Sequence, residues 1–243
     1  MELYLIRHGQ SFNNTLTDRK DRVCDPSLTE LGCRQAELVA HHLATAPNLE
    51  DFVQAKVVPS TVVRNGYGIT KLYCSPMHRA LQTALPIGQA LGLTPEVFIN
   101  IHEIGGIFLH NETESVGLPG RNRPEILAEF PHYVLPAEII AEHGWWGSKP
   151  KEDWPSCHGR AARVASQLLD WSITQPAERI ALVTHGGFCG DLLKALFNQL
   201  PGRGISYYID NTSITRLDFD LVKKRINLRY LNRLNHLPPE LVS

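Results

Sequence analysis

The chain predicts an α/β fold, a three-layer α/β/α sandwich around a mostly parallel central sheet. Three observations carry this expectation. Short apolar runs at Leu3-Tyr4-Leu5-Ile6, 69–74, 97–101 and 179–183 alternate with segments of helical periodicity, the rhythm that builds parallel sheets. The runs are apolar on both faces, as strands covered by helices on both sides are. A chemically active residue follows each run, and ligands of such sheets bind beyond the carboxyl ends of the strands. With 243 residues, 43 % of them hydrophobic, the chain buries a sizeable core. One domain over 1–243, with insertions at about 45–68 and 105–150, is expected rather than two small ones.

The elements follow in order. Residues 3–6 form a strand stopped by Gly9, and a polar loop runs over 10–26. Thr29 is placed to cap a helix reaching Leu43, in which Leu31, Gln35, Leu38, Val39 and Leu43 share a face. The stretch 45–68 holds prolines and Asn65-Gly66-Tyr67-Gly68, with few periodic positions, and reads as an inserted loop. A strand over 69–74 leads through Pro76 into a helix over 78–91 that ends at Gly92. A third strand over 97–101 delivers Glu103. Residues 105–150 break the alternation with Gly105-Gly106, Gly117-Leu118-Pro119-Gly120, a short helix near 124–130 and Trp145-Trp146-Gly147. Such an insertion is a lid or pocket wall, or an elaboration packing its own small core. A helix over 152–174, a strand over 179–183 and a helix over 188–200 complete the α/β pattern. Strands over 211–217 and 226–230, joined by a turn, close the sheet.

Composition excludes several classes. The formal net charge of −1 argues against nucleic acid as a partner, which would show as a basic excess. No apolar run approaches the ~18 residues of a membrane span, and the opening Met1-Glu2-Leu3-Tyr4 has no signal-peptide pattern. Cys24, Cys33, Cys74, Cys157 and Cys189 are odd in number and scattered without a CxxC pair. They read as reduced thiols of a cytoplasmic protein rather than as disulfides or a zinc site. The histidines, His41-His42, His102, His110, His132, His143 and His158 among them, lack compact metal-ligand spacing, so no metal is expected. Neither a Walker loop nor GxGxxG is present, so no nucleotide cofactor is expected.

What remains is a set of residues at strand ends. Arg7-His8-Gly9 follows the first run. An isolated histidine is more often a core residue than a catalyst. Here Gly9 permits a sharp turn and close approach of a ligand. Arg7 keeps the His8 imidazole neutral by like-charge repulsion, and a neutral ring nitrogen is a nucleophile. Arg79, in the first turn of a helix, and Arg7 are suited to clamp a phosphate through paired donors. His185 stands before Gly186-Gly187 as the counterpart of His8, with Thr184 placed to orient it. Glu103 at its strand end can protonate a leaving oxygen and then activate water, with burial raising its pKa toward neutrality. Asp25, Glu112, Glu114 and Glu152 are rival carboxylates.

Together these residues resemble the histidine phosphatase superfamily, also called phosphoglycerate-mutase-like. Leu5-Ile6-Arg7-His8-Gly9-Gln10-Ser11 with Asn14 resembles the family's opening signature. Asp25-Pro26-Ser27-Leu28-Thr29-Glu30-Leu31-Gly32, Ser75-Pro76-Met77-His78-Arg79-Ala80-Leu81-Gln82-Thr83-Ala84 and Val183-Thr184-His185-Gly186-Gly187 resemble its later blocks. The likeness spans most of 1–217. It implies that His8 is the phosphorylated nucleophile, that Arg7, Arg79 and His185 bind the phosphoryl group, and that Ser11, Asn14 and the Gly186 amide add substrate contacts. Glu103 maps to the proton donor, and the family needs no metal. Family mutases carry a Gly-Trp segment after the first loop and a Glu-Arg-His-Tyr-Gly block at the acid. This chain has Thr17-Asp18-Arg19-Lys20-Asp21-Arg22 and Ile101-His102-Glu103-Ile104-Gly105-Gly106. The expectation is therefore a metal-independent phosphomonoesterase acting on a small phosphorylated metabolite. A mutase-type phosphotransferase and a non-catalytic phosphate-binding module are the alternatives. The segment 117–146 resembles a cap, in which Arg121, Arg123, Trp145 and Trp146 are either substrate contacts or packing residues.

Overall fold

Side chains on the first strand alternate between two apolar environments, and this sorts the molecule into layers. A computed structural model describes residues 1–47, 56, 64–111, 114–139, 142–202 and 204–243. In β1 (Glu2–Arg7), Leu3 and Leu5 enter one core cluster while Tyr4 and Ile6 enter the other, all fully buried. The other strands are β2 (Lys71–Cys74), β3 (Glu96–Val97), β4 (Phe108–His110), β5 (Ser115–Gly117), β6 (Arg179–Thr184), β7 (Ile214–Asp220) and β8 (Arg225–Arg233). The main sheet has the order β3-β2-β6-β1-β7-β8. The four strands β3, β2, β6 and β1 run parallel; β7 is antiparallel to both β1 and β8.

Helices α1 (Glu30–Thr45) and α2 (His78–Leu91) cover the Tyr4 face, and α4 (Trp154–Thr174) and α5 (Gly186–Leu196) cover the Leu3 face. Each fully buried Leu or Ile in these layers contributes about 1.5–3 kcal/mol. The Thr29 hydroxyl caps α1 by accepting from the Gly32 amide at 3.0 Å. Gly92, at φ 65, ends α2 as expected. Asp153 caps α4, accepting from the Ser156 amide at 2.9 Å. No helix among the described residues is long and apolar enough to cross a membrane.

The sheet register places the site. Arg7 pairs with Thr184, and Cys74 with Val183, so β1, β6 and β2 end level with one another. The ladder then continues for one residue: the His8 amide donates to Thr184 O at 2.9 Å and the Ser75 amide to Val183 O at 3.0 Å.

Three expectations need correction. The strand expected at 97–101 is only β3, Glu96–Val97; the chain then tightens into a 3₁₀ turn, Ile99–Ile101, so Glu103 leaves a turn rather than a strand. Helix α5 stops at Leu196 rather than 200, the amides of Phe197, Gln199 and Asn198 beyond it closing onto the carbonyls of Leu193, Lys194 and Ala195. The 105–150 insertion contains the β4–β5 hairpin, which its irregular pattern concealed, beside α3 (Arg123–Glu129), the short helix expected near 124–130. The 45–68 loop lies largely outside the described residues.

The insertion packs through two glycines. Gly105 (φ 94) and Gly106 (φ 67) both take left-handed backbone. A Cβ at Gly105 would come within 2.5 Å of the Phe108 ring, and one at Gly106 within 2.4 Å of the Trp146 ring. Trp145 and Trp146 are buried, with rings 5.3 and 5.1 Å from that of His102. They are core residues of the cap.

Two buried histidines give the fold an acid limit. Burial, helped by Arg160, pushes His102 down to about 3. Burial and His42 push His236 down to about 3 as well. An unfolded histidine takes its proton at about 6.5. Between those values the unfolded chain binds the extra protons, so this stability is complete above about pH 6.5 and falls as pH falls. The slope is up to about 1.4 kcal/mol per pH unit for each histidine. Urea midpoints measured from pH 7.5 to pH 5 should decline accordingly, and less steeply in His236→Gln. A midpoint independent of pH across that range contradicts this account.

Candidate active site

The His8 backbone is held from two sides. Its amide bonds Thr184 O, and its carbonyl accepts from Asn211 Nδ2 at 2.8 Å. Gly9 follows because no side chain fits there: a Cβ would lie 2.4 Å from Gly32 O. The ring's tautomer follows from its partners. Arg79 Nε, always a donor, lies 3.0 Å from His8 Nε2, so Nε2 is the unprotonated acceptor. His8 Nδ1 therefore carries the hydrogen and donates it to Gly9 O at 2.6 Å. Burial lowers the His8 pKa well below its usual value, and Arg79 and Arg7 lower it further.

Arg79 sits in the first turn of α2, its side chain 10 % exposed. Asp25, in left-handed backbone at φ 44, supports it: Asp25 Oδ1 accepts from the His78 amide at 2.9 Å and lies 3.9 Å from Arg79 Nη1. Burial pushes the Asp25 carboxyl up, while Arg79 draws it back down. Thr83 ties the same helix to the loop after β1, donating to Arg79 O at 2.7 Å and accepting from the Gly9 amide at 3.0 Å. Arg7 donates from Nη1 to Ile209 O at 2.7 Å; its Nε is buried without a partner.

His185 is wholly buried, its ring 5.0 Å from that of His8. Its Nε2 pairs with Ser75 Oγ at 2.8 Å, and Nδ1 is buried without a partner. Burial, then Arg79 and His8, lower its pKa well below the usual value. Thr184 does not orient it: that hydroxyl donates to Ile101 O at 2.6 Å, bracing the turn before Glu103. Buried donors such as Arg7 Nε cost about 1–3 kcal/mol each when unpaired.

Glu103 is partly exposed rather than buried. Its Oε1 accepts from the Ile104 and Phe188 amides, both at 2.9 Å, and Oε2 from the Gly187 amide at 3.1 Å. The carboxylate thus rests on the amino end of α5, which favours negative charge.

Arg7, His8, Ser11, Asn14, Arg79 and Glu103 line one pocket of about 640 Å³. His185 and Gly186 are not among its lining residues; Gly186 packs on the Arg7 guanidinium, where a Cβ would be 3.4 Å from Nε. Ser11 is buried, and its amide and hydroxyl both donate to Asn14 Oδ1 at 2.9 Å. Arg121 pairs with Glu129 at 2.8 Å. Arg123 donates to the carbonyls of Leu135, Pro136 and Ile139. Neither arginine lines this pocket. Glu152, a rival carboxylate, is committed to Arg160 at 2.6 Å. A second groove of about 690 Å³, beside Ile173, Phe197 and Leu221, is apolar and holds none of these groups.

Sequence reasoning missed Ser75 and the supporting role of Asp25. Ser75 was within reach, since it follows β2 as His8 follows β1. Arg22, Phe108, Lys151 and Trp154 also line the pocket; Arg22 and Lys151 come from loops, Phe108 from the insertion and Trp154 from the first turn of α4, where no periodicity points inward.

The family model described as histidine phosphatase superfamily (branch 1) matches residues 3–232. A probable phosphoglycerate mutase, GpmB, of Yersinia pestis (strain Pestoides F) is 27 % identical over 221 residues, 90 % of this chain and 85 % of that protein. The structure of phosphoserine phosphatase from Entamoeba histolytica in complex with 3-phosphoglyceric acid aligns with a TM-score of 0.60 at 22 % identity, covering 98 % of this chain and 99 % of that one. Mycobacterial glucosyl-3-phosphoglycerate phosphatase in complex with VO3 aligns with a TM-score of 0.57 at 21 % identity, covering 96 % and 99 %. These structures share the fold.

Two predictions follow from the geometry. A Cβ at Gly187 would lie 2.6 Å from Glu103 Oε1, the far end of a flexible side chain that would have to shift from its amide bonds to make room. Gly187→Ala should leave the melting temperature nearly unchanged, because alanine favours a helix. It should slow any chemistry that uses Glu103 by about tenfold or more, since small misplacements are costly. Equal rates for the two proteins would remove Glu103 from the reaction. By NMR, the His8 and His185 rings should stay neutral at pH 6, where ordinary histidines are largely protonated; a midpoint near 6.5 for either would contradict the assigned tautomer and burial.

Proposed function

Because the chain belongs to branch 1 of the histidine phosphatase superfamily, we propose that it is a metal-independent phosphomonoesterase working through a phosphohistidine on His8. The observation that carries this reading is the His8 tautomer: Nδ1–H is fixed to Gly9 O, and the Nε2 lone pair meets Arg79 Nε at 3.0 Å. An incoming phosphate dianion takes the Arg79 donor onto its oxygens and brings phosphorus to the freed lone pair. Nε2 attacks, the P–O bond to the alcohol breaks, and Glu103 gives its proton to the departing oxygen. Arg7, Arg79 and His185 offset charge on the equatorial oxygens, the main demand of phosphoryl transfer. Water then attacks phosphohistidine, Glu103 takes its proton, and inorganic phosphate leaves with His8 neutral again. Oε2 of Glu103, which accepts from one amide where Oε1 accepts from two, is the oxygen suited to carry the mobile proton. The pocket of about 640 Å³ suits a small metabolite.

Phosphate release from a panel of monoesters, with and without chelator, tests the reading. Wild type should turn over in chelator, His8→Ala should lose at least about 1,000-fold, and an acid-labile phosphoprotein should be trapped from the wild type alone. Turnover retained in His8→Ala overturns the nucleophile. Exchange between phosphoglycerate isomers without phosphate release would make the protein a mutase instead.

A further inference from the structure

Gln35 is wholly buried on the inner face of α1, beside Ala36 and Val39. The chemistry described above makes no use of it, yet its oxygen and both N–H groups are paired. Oε1 accepts from the Gln10 amide at 2.8 Å. Nε2 donates to Leu241 O at 2.7 Å and to Ser243 Oγ at 2.9 Å. The reverse orientation is excluded, since it would set donor against donor at Gln10 and oxygen against oxygen at Leu241.

The bond to Gln10 reaches the nucleophile in one step. The Gln10 N–H and the Gly9 carbonyl belong to one planar peptide unit and point in opposite directions. Holding the first aims the second, and Gly9 O is the acceptor of His8 Nδ1–H at 2.6 Å. The preceding unit is also held at both ends. His8 O accepts from Asn211 Nδ2 at 2.8 Å, and the Gly9 amide donates to Thr83 Oγ1 at 3.0 Å. Ser243 links the two holders: its Oγ accepts from Gln35, and its carbonyl accepts from the Asn211 amide at 3.1 Å. Peptide units beside a glycine turn more freely than others, so these outside bonds decide where the Gly9 carbonyl points. Arg79 Nε fixes the His8 tautomer only while it occupies Nε2. In the reaction proposed above a phosphate draws that donor away, and the hold on the hydrogen then rests on Gly9 O.

We propose that Gln35 is a positioning residue for the nucleophile. Through the Gln10 amide it aims the Gly9 carbonyl, and so keeps the His8 hydrogen on Nδ1 and the lone pair on Nε2 during attack. Its effect on rate rests on the phosphomonoesterase reading; its effect on the tautomer rests on the hydrogen bonds alone.

Two substitutions separate this role from packing. Gln35→Met keeps the length and removes the acceptor. It should lower kcat about tenfold or more, with KM within about twofold, because Arg7 and Arg79 still meet the phosphate. Gln35→Glu, kept protonated by burial, retains an acceptor for Gln10 and one donor, and should hold kcat within about threefold of wild type. A kcat within about twofold of wild type in Gln35→Met, a loss taken through KM, or a Glu variant as slow as the Met variant overturns the proposal. Nitrogen-15 NMR of the His8 ring in saturating inorganic phosphate reads the tautomer directly. Wild type and Gln35→Glu should show the Nδ1–H form alone, and Gln35→Met a mixture; Nδ1–H alone in Gln35→Met refutes the proposal. If wild type hydrolyses no ester, the phosphatase reading falls and the ligand-free protein decides the role of Gln35. His8 Nδ1–H should then exchange with solvent at least about tenfold faster in Gln35→Met than in wild type, and equal rates refute it. If Gln35→Met does not fold, Gln35→Asn, too short to reach Gln10, takes its place with the same expectations. In wild type the Gln10 amide should exchange at least about 100-fold more slowly than in an unstructured peptide, and an unprotected amide refutes the proposal.

Discussion

A histidine acts as a nucleophile only while the attacking nitrogen is unprotonated and the ring is prevented from turning. In this chain one short bond governs both conditions at His8, from Nδ1 to the carbonyl of the next residue. The surrounding structure is arranged to make that bond possible. Gly9 must lack a side chain because Gly32 O approaches within 2.4 Å of where a Cβ would be. Gly32 is held there by the Thr29 cap of α1. The Gly9 amide is fixed by Thr83 of α2, the helix that also carries Arg79. The loop after β1 is thus clamped between two helices on the Tyr4 face of the sheet, and the imidazole is aimed by packing rather than by its own rotamer.

The Glu103 side of the pocket depends on a different pin. Arg160 of α4 binds Glu152 with two hydrogen bonds and donates from Nη1 to Asn100 O at 2.8 Å and His102 O at 2.9 Å. Its guanidinium lies 4.5 Å from the Phe188 ring of α5. One side chain, 4 % exposed, therefore joins the turn before Glu103, the end of the cap and the helix whose amides hold the Glu103 carboxylate. A buried pair of this kind adds little net stability compared with apolar packing, but removing one partner costs about 3–5 kcal/mol. Its value lies in geometry, since it fixes three segments of distant sequence origin around one carboxylate.

Both faces of the sheet could be read in the sequence because β1, β2 and β6 are covered by helices and their apolar runs admit no other reading. The level ends of these strands carried His8, His185 and, unnoticed, Ser75 to one edge. Periodicity fails where burial is partial. β3 is two residues long because the chain turns under Arg160, which takes the carbonyls of Asn100 and His102 that a longer strand would have offered to the ladder. The β4–β5 hairpin leaves Val116 exposed and so shows no alternation. Asp25 was legible as a carboxylate and illegible as a support, since its place beside Arg79 depends on a left-handed backbone that the sequence around it, Cys24-Asp25-Pro26, does not signal. Arg22 and Lys151 lie over one hundred positions apart, and only the fold brings both to Phe108.

The site is held against its own chemistry. Arg7 Nε, His185 Nδ1 and Asp25 Oδ2 are buried without partners, each at a cost of about 1–3 kcal/mol, and positive φ at Asp25 adds strain. Two imidazoles and two guanidiniums sit where burial and mutual repulsion oppose every additional positive charge. A folded chain tolerates this because two apolar clusters, one on each face, anchor the strands that carry these groups. The same opposition explains why an anion belongs there. A dianion placed among these groups meets donors that have no other partner and relieves repulsion between Arg7 and Arg79. The groups that strain the fold, Arg7 and His185, are therefore among those proposed to bind phosphate, and a core large enough to hold them unpaired is what the pocket requires of the rest of the chain.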